Sequence, residues 1–103
     1  MPGRIVRQAA EMALDNIRVN AIAPGSTKTH LVRAMWENEE YEKFVTEKVP
    51  MHRFADPDEM AGAAVYLASD ASSYTTGTCI VIDGGASLSI AYHDPFESML
   101  LNE

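Results

Sequence analysis

The 103-residue sequence holds one cysteine, one tryptophan and only eight lysines and arginines against fifteen acidic residues. Each scarcity removes a class of function. The lone Cys79 cannot close an internal disulfide, and its setting in the apolar run TCIVI reads as a packing residue rather than a nucleophile. A net charge of −7, with no run of Lys or Arg on any candidate helix, argues against a phosphate backbone or an anionic membrane surface as partner. No nucleic acid and no membrane partner is therefore expected. Apolar runs stop after a few residues, far short of the roughly 20 that a spanning helix needs, and the amino-terminal residues lack the apolar core of a signal peptide. A cytoplasmic protein is expected. His30, His52 and His93 have neither the i, i+4 spacing nor the carboxylate neighbours of a zinc site, and no G-x-S-x-G elbow is present, so no metal site and no hydrolase nucleophile is assigned. No internal repeat or linker divides the chain.

What is present is an ordinary globular balance, 47% hydrophobic and 22% charged, in a length that allows one modest core. RIVRQAAEMAL places Ile5, Ala9, Met12 and Ala13 on one side at helical spacing, and Asp15-Asn16 breaks that helix. The residues that follow, Ile17 to Ala23, read as a largely covered strand that runs into Pro24-Gly25. Between Thr29 and Val49 the pattern fits two short helices, one grouping Leu31 with Met35 and the other grouping Tyr41, Phe44 and Val45. The acidic run Glu37 to Glu42 is a solvated helix face.

Asp56-Pro57-Asp58-Glu59 reads as a helix start: Asp56 accepts from free N–H groups, proline suits the first helical position and Glu59 completes a capping box. The helix behind it carries Met60, Ala64 and Leu67 on one stripe and small residues that permit close approach of another backbone. Thr78 to Asp83 is a second strand, ended by Asp83-Gly84-Gly85 in a turn that demands positive φ. Strands alternating with helices predict an α/β fold with parallel strands. A second Asp-Pro-x-Glu start at Asp94 to Glu97, backed by Phe96, Met99 and Leu100, predicts a short helix or a frayed end in the tail, residues 86–103.

The abrupt stop of an apolar strand at Pro24-Gly25 is either an ordinary strand-to-loop turn or the rim of a ligand site, because open α/β sheets bind ligands beyond the carboxyl ends of their strands. The surrounding residues bear on that choice. NIRVNAIAPGSTKT (Asn16–Thr29) followed by RFADPDEMAGAAVYLASDASSYTTGTCIVIDGG (Arg53–Gly85) resembles the carboxyl-terminal part of the classical short-chain dehydrogenase/reductases, over about residues 4–85 and with three separate pieces in the family's order and spacing. The resemblance implies the carboxyl-terminal portion of a Rossmann-like, doubly wound parallel sheet, here two strands with flanking helices over residues 1–85, of which residues 29–50 would be substrate-loop helices.

It also implies a nicotinamide cofactor, NAD or NADP, with Pro24, Gly25, Thr27 and Thr29 at its nicotinamide end. The position matching Thr27 is commonly Ile or Val, whose backbone meets the carboxamide, so Thr27 departs from the pattern in side chain only. Thr29 would supply a hydroxyl. Leu31, Met35 and Trp36 would line a substrate groove, with core packing the other use for Met35 and Trp36. No catalytic residue is assigned, because Val45, Asp70, Thr78 and Phe96 stand four positions after Tyr41, Tyr66, Tyr74 and Tyr92, where the family needs a lysine. A Gly-rich pyrophosphate turn is also absent, and the helix at Arg4–Leu14 matches the family helix that opens at the Tyr-Lys pair, which would place both upstream of Met1.

The expected function is accordingly a part of an NAD(P)-dependent alcohol/ketone oxidoreductase, inactive by itself and binding the cofactor weakly or not at all. The alternative is a non-catalytic self-association or interaction module derived from the same family. Either way a homo-oligomer is expected, through the Pro57–Ser69 helix and the Thr78–Asp83 strand, with Ala61, Gly62 and Ala64 at a helix contact and Ile80 and Ile82 near the shared surface.

Overall fold

The structure, a computed structural model, describes residues 3–88; the predicted tail helix at Asp94 lies outside them. Within that range the chain forms α1 (Gly3–Met12), β1 (Ala21–Pro24), α2 (Arg33–Glu37), α3 (Glu39–Thr46), α4 (Asp58–Ala68) and β2 (Cys79–Ile82), with short 3₁₀ turns between them. These elements fall into two compact units. One holds Pro57–Ile82 with the chain up to Pro24, and the other holds Gly25–Asp56 with the chain from Asp83.

The first unit is the α/β part. α1 buries Ala9 to 3% exposure, and Gly77, at φ +75°, lies where a Cβ would come within 3.4 Å of the Ala9 methyl. α1 stops as the Asp15-Asn16 break predicts. Asn16 takes the left-handed conformation at φ 61°, its N–H donating to Ala13 O (3.2 Å) while the Ile17 N–H reaches Met12 O (3.3 Å). That paired closure satisfies carbonyls a helix end otherwise leaves open, and asparagine is the residue after glycine best suited to it. The predicted Ile5, Ala9, Met12, Ala13 face is buried only at Ala9; Ile5 is half-buried and the other two are exposed, because the 3₁₀ turn at Ala13 ends the α-helical phase.

β1 and β2 pair in parallel, Ala21 with Cys79 through Pro24 with Ile82. The strand expected over Ile17–Ala23 is thus shorter at its start. Val19 and Asn20 are tied to the second strand's approach largely through side chains. The Val19 N–H donates to Thr76 Oγ1 (3.1 Å), Asn20 Nδ2 donates to Thr75 O (3.1 Å), and Asn20 Oδ1 accepts the Thr78 N–H (3.1 Å). The Val19 N–H goes to a hydroxyl and the Thr78 N–H to the Asn20 side chain, so before Ala21 only the Gly77 N–H to Val19 O bond (2.8 Å) joins the two backbones. Both strands are half-buried rather than covered, with Pro24 and Val81 exposed, and Cys79 is half-buried and free.

α4 begins at Asp58, with Pro57 in the capping position rather than at the first helical position. Pro57 already has helical angles (φ −54°, ψ −33°) and Asp58 and Glu59 occupy the first turn, where negative charge suits the helix dipole. Its inward stripe is Met60, Ala63 and Leu67, all half-buried, rather than Met60, Ala64 and Leu67. Ala64 is exposed, since the i, i+3, i+7 row fixes the stripe on Ala63. The same unit contains a polar centre. Ser72, 1% exposed, donates to Leu67 O (3.1 Å) and accepts from Arg18 Nη1 (2.8 Å), and the Arg18 guanidinium also donates to Leu67 O (3.0 Å), Thr75 O (3.3 Å) and Ser69 O (3.4 Å).

The second unit is built on Val49 and Phe54, exposed 5% and 3%. Two short helices form as expected. Asn38 caps α3, its Oδ1 accepting the Tyr41 N–H at 3.0 Å, and Glu39, Glu40 and Glu42 fill the first turn, which gives the acidic run a local electrostatic reason. Tyr41 and Phe44 do meet, ring centroids 6.4 Å apart, but both are exposed. Leu31 and Met35 are not on a common face: Leu31 sits in the 3₁₀ turn His30–Val32 and is 94% exposed, whereas Met35 is half-buried. A switch from three to 3.6 residues per turn between them rotates the two apart.

Candidate nicotinamide-side loop

Pro24 closes β1, where its missing N–H costs the ladder nothing. The loop after it, in the second unit, is held by backbone bonds to one residue the sequence did not single out. Ala55 pairs with Thr27 as an isolated parallel bridge, its N–H donating to Ser26 O (2.9 Å) and its carbonyl accepting the Lys28 N–H (2.9 Å). Phe54 next to it is buried, so the bridge is anchored on the core of this unit. No periodicity marks Ala55, so nothing in the sequence pattern singles it out.

Gly25 is required by close approach, not by φ. A Cβ on Gly25 would stand 2.7 Å from Asp83 Cβ and 2.8 Å from Asp83 Cα. The Pro-Gly loop and the Asp-Gly-Gly turn therefore abut backbone to backbone. That second turn is as predicted, with Gly84 and Gly85 at φ +62° and +93°. Asp83 folds it by accepting the Gly85 N–H on Oδ1 (2.9 Å) and the Ser87 N–H on Oδ2 (3.0 Å). Hydrogen bonds from the Ser87 backbone, then from its side chain, hold the Asp83 carboxyl below its ordinary range despite some desolvation, with the Gly85 N–H adding to the effect.

Thr27 is half-buried, and its hydroxyl turns back to Gly25 O at 2.9 Å, stiffening the turn. Its carbonyl accepts the Thr29 N–H (2.9 Å), and among the described residues its own N–H has no hydrogen-bond partner. Thr29 is exposed and extended (φ −109°, ψ 162°) and its hydroxyl is likewise without a partner among the described residues. An amide donor and a hydroxyl on one short fixed loop suit a planar carboxamide, which offers an acceptor and donors within a few ångströms. Met35 and Trp36 are half-buried behind the loop, while Leu31 points to solvent and joins neither. Trp36 Nε1 donates to Thr29 O at 3.0 Å, and Lys28 Nζ lies 5.8 Å from the centroid of the Trp36 ring.

A cavity of about 340 Å³ in the first unit is lined by Ala13, Asn16, Ile17, Arg18, Ser73, Tyr74 and Thr76. Those residues precede the two strands, so the cavity opens at the amino ends of β1 and β2 and is not the strand-end site. Among the described residues no three His, Cys, Asp or Glu side chains gather as for a metal, and no helix is long and apolar enough to cross a membrane.

Parallel strands with a crossover helix and a glycine turn at a strand's carboxyl end define a Rossmann-type α/β protein. Comparison with known proteins narrows the class. The family model described as Enoyl-(Acyl carrier protein) reductase matches residues 4–87, and the chain belongs to the short-chain dehydrogenase/reductase family. It is 42% identical over 78 residues to rabbit (Oryctolagus cuniculus) dehydrogenase/reductase SDR family member 4, covering 76% of this chain and 30% of that protein. Among solved structures it is similar to 4-hydroxyisoleucine dehydrogenase complexed with NADH (30% identical, TM-score 0.78, 82% of this chain and 35% of that one). It is also similar to the Pseudomonas aeruginosa RhlG/NADP active-site complex (35% identical, TM-score 0.76, 81% and 32%). The chain thus spans about a third of the length of the relatives it matches.

Proposed function

We propose that this chain supplies the nicotinamide-side loop, the substrate loop and an association surface of an NAD(P)-dependent oxidoreductase that acts on an alcohol or ketone in the cytoplasm. The observation that carries the reading is the loop Gly25–Thr29, fixed by the Ala55 bridge with the Thr27 N–H and the Thr29 hydroxyl left for a ligand among the described residues. The similar structures holding NADH and NADP support a nicotinamide cofactor and leave its 2′ position open. Bound there, the nicotinamide would supply hydride transfer; the loop's part is to orient the ring through its carboxamide.

The 103-residue chain by itself is expected to show no cofactor-dependent turnover against secondary alcohols or ketones, because none of its tyrosines has a lysine four residues on to lower its pKa. Titration with NADH, followed by amide NMR, is expected to move Thr27 and Thr29 with a dissociation constant near 1 mM, about −4 kcal/mol, since phosphate contacts at a helix N-terminus normally supply most of the affinity. No movement of either amide would refute the loop assignment, and a micromolar constant would refute the account of where affinity comes from.

The association surface rests on a separate observation: Val65 on α4 and Val81 on β2 are 66% and 53% exposed, and a side chain added at Gly62 would meet nothing within 4 Å. A second copy of the chain laid on α4 and the β2 edge would cover these groups and the unpaired strand backbone. Gly62→Leu is then expected to raise the dissociation constant of the dimer at least tenfold in sedimentation, while the added helix propensity keeps the fold at least as stable. Unchanged association, or a monomeric wild type at low micromolar concentration, would refute this surface.

A further inference from the structure

Trp36 occupies a position whose geometry exceeds that of a groove-lining aromatic. It is the sole tryptophan of the chain, it sits in the last turn of α2, and its indole N–H reaches seven residues back to the Thr29 carbonyl at 3.0 Å. That carbonyl also accepts the Val32 N–H at 3.3 Å, so one oxygen ties the loop both to the 3₁₀ turn and to α2. The ring takes Lys28 Nζ at 5.8 Å on the same segment. Two successive loop residues are therefore gripped by one side chain of the neighbouring helix. Ala55 meanwhile fixes the start of the loop, through Ser26 and the Lys28 N–H. Without the indole the Thr29 carbonyl would be held only by the Val32 N–H of its own local turn and would have no tie to α2. With the indole in place, rotation of that peptide breaks a hydrogen bond on α2.

We infer that Trp36 is a positioning residue for the cofactor loop: by holding the Thr29 carbonyl to α2 it sets the orientation of the Thr27–Thr29 segment, so that engagement of a nicotinamide carboxamide and seating of the substrate-loop helix are one coupled event. This rests on the loop reading above. It assigns Trp36 a role through Thr29 rather than direct contact with substrate. It also explains why α2, only five residues long and without a buried residue, has a defined place beside the loop. A helix this short is marginal without tertiary support.

The single tryptophan makes the test direct, because its indole N–H is one resolved NMR resonance. In the wild-type chain titrated with NADH, the indole resonance and the Thr27 and Thr29 amides are expected to follow one binding curve. Trp36→Phe keeps a ring for Lys28 and deletes the donor; it is expected to weaken the NADH constant at Thr27 about fivefold and to speed exchange of the Thr29 amide, with α4 and β2 amides unmoved. Trp36→Leu should behave like Trp36→Phe. An unchanged constant in Trp36→Phe, with wild-type shifts present, overturns the inference and leaves the loop reading standing. A wild type whose loop amides do not respond to NADH overturns both. Should the variants unfold, the wild type still decides: an indole resonance that stays put while Thr27 moves shows the two uncoupled and refutes the inference.

Discussion

Replacing Gly25 with alanine is expected to destabilise the chain by about 2–3 kcal/mol and to displace the cofactor loop, although it adds a single methyl group. The reason is what the methyl would meet. It would lie 2.7 Å from Asp83 Cβ and 2.8 Å from Asp83 Cα, and a backbone atom cannot swing aside as the end of a long side chain can. Relief requires the Pro-Gly loop or the Asp-Gly-Gly turn to move. The second is pinned by the Asp83 carboxylate to Gly85 and Ser87, and Gly84 and Gly85 already lie against Val49 and Pro50, where added Cβ atoms would come within 2.9 and 3.0 Å. The first is pinned by Thr27 Oγ1 on Gly25 O and by the Ala55 bridge. Urea unfolding measures the loss. Gly3→Ala is the control, because a Cβ at Gly3, at the start of α1, would meet nothing within 4 Å; it should change stability by no more than about 1 kcal/mol through helix propensity. If Gly25→Ala unfolds at the wild-type urea concentration, the close approach is not a constraint and the glycine has no structural reason to be there.

The turn at Gly25 was legible because its causes are local: an apolar strand, a residue without an N–H, then one without a side chain. The same holds for the Asn16 helix end, the helical Pro57 and the left-handed Gly84-Gly85. Each is decided by one residue's own torsional or hydrogen-bonding preference. The parts that were not legible depend on partners distant in sequence. Ile17–Asn20 has the composition of a strand, yet Val19 and Asn20 bond to Thr75, Thr76 and Thr78, so the ladder waits until Ala21. Leu31 looked like the partner of Met35 on one helix face until a 3₁₀ turn changed the phase between them. Val49 and Phe54, which form the core of the second unit, lie outside any helix or strand and so belong to no periodic pattern. In the loop itself, the roles of Ala55 and Trp36 come from a bridge 28 residues long and a bond to a carbonyl, neither of which leaves a mark on composition.

The polar centre of the first unit was the least legible element and carries the other large expected effect. Arg18→Ala is expected to cost about 3 kcal/mol or more, enough to unfold a small chain with few buried apolar residues. Arg18 lies 49–57 residues from every group it binds: Ser72 Oγ and the carbonyls of Leu67, Ser69 and Thr75. These acceptors are the end of α4 and the turns leading to β2, so one guanidinium closes the carboxyl end of α4 onto the approach to β1. Removing it leaves Thr75 O with only the Asn20 amide and leaves buried Ser72 without its donor, though the serine still gives its own proton to Leu67 O or Ser69 O. Leaving acceptors unsatisfied in a partly buried place costs more than the bonds themselves gain. Arg18→Lys separates charge from shape. An ammonium keeps the charge but is a point donor on a flexible stem, unable to span four acceptors that a planar fork reaches at once, so it should recover less than half of the loss. Chemical denaturation of Arg18→Ala, Arg18→Lys and Ser72→Ala, with the double variant of the first and last, reads the coupling. A non-additive deficit of 1 kcal/mol or more between Arg18 and Ser72 is expected, and full rescue by lysine or strict additivity would show that the guanidinium geometry does not hold this unit together.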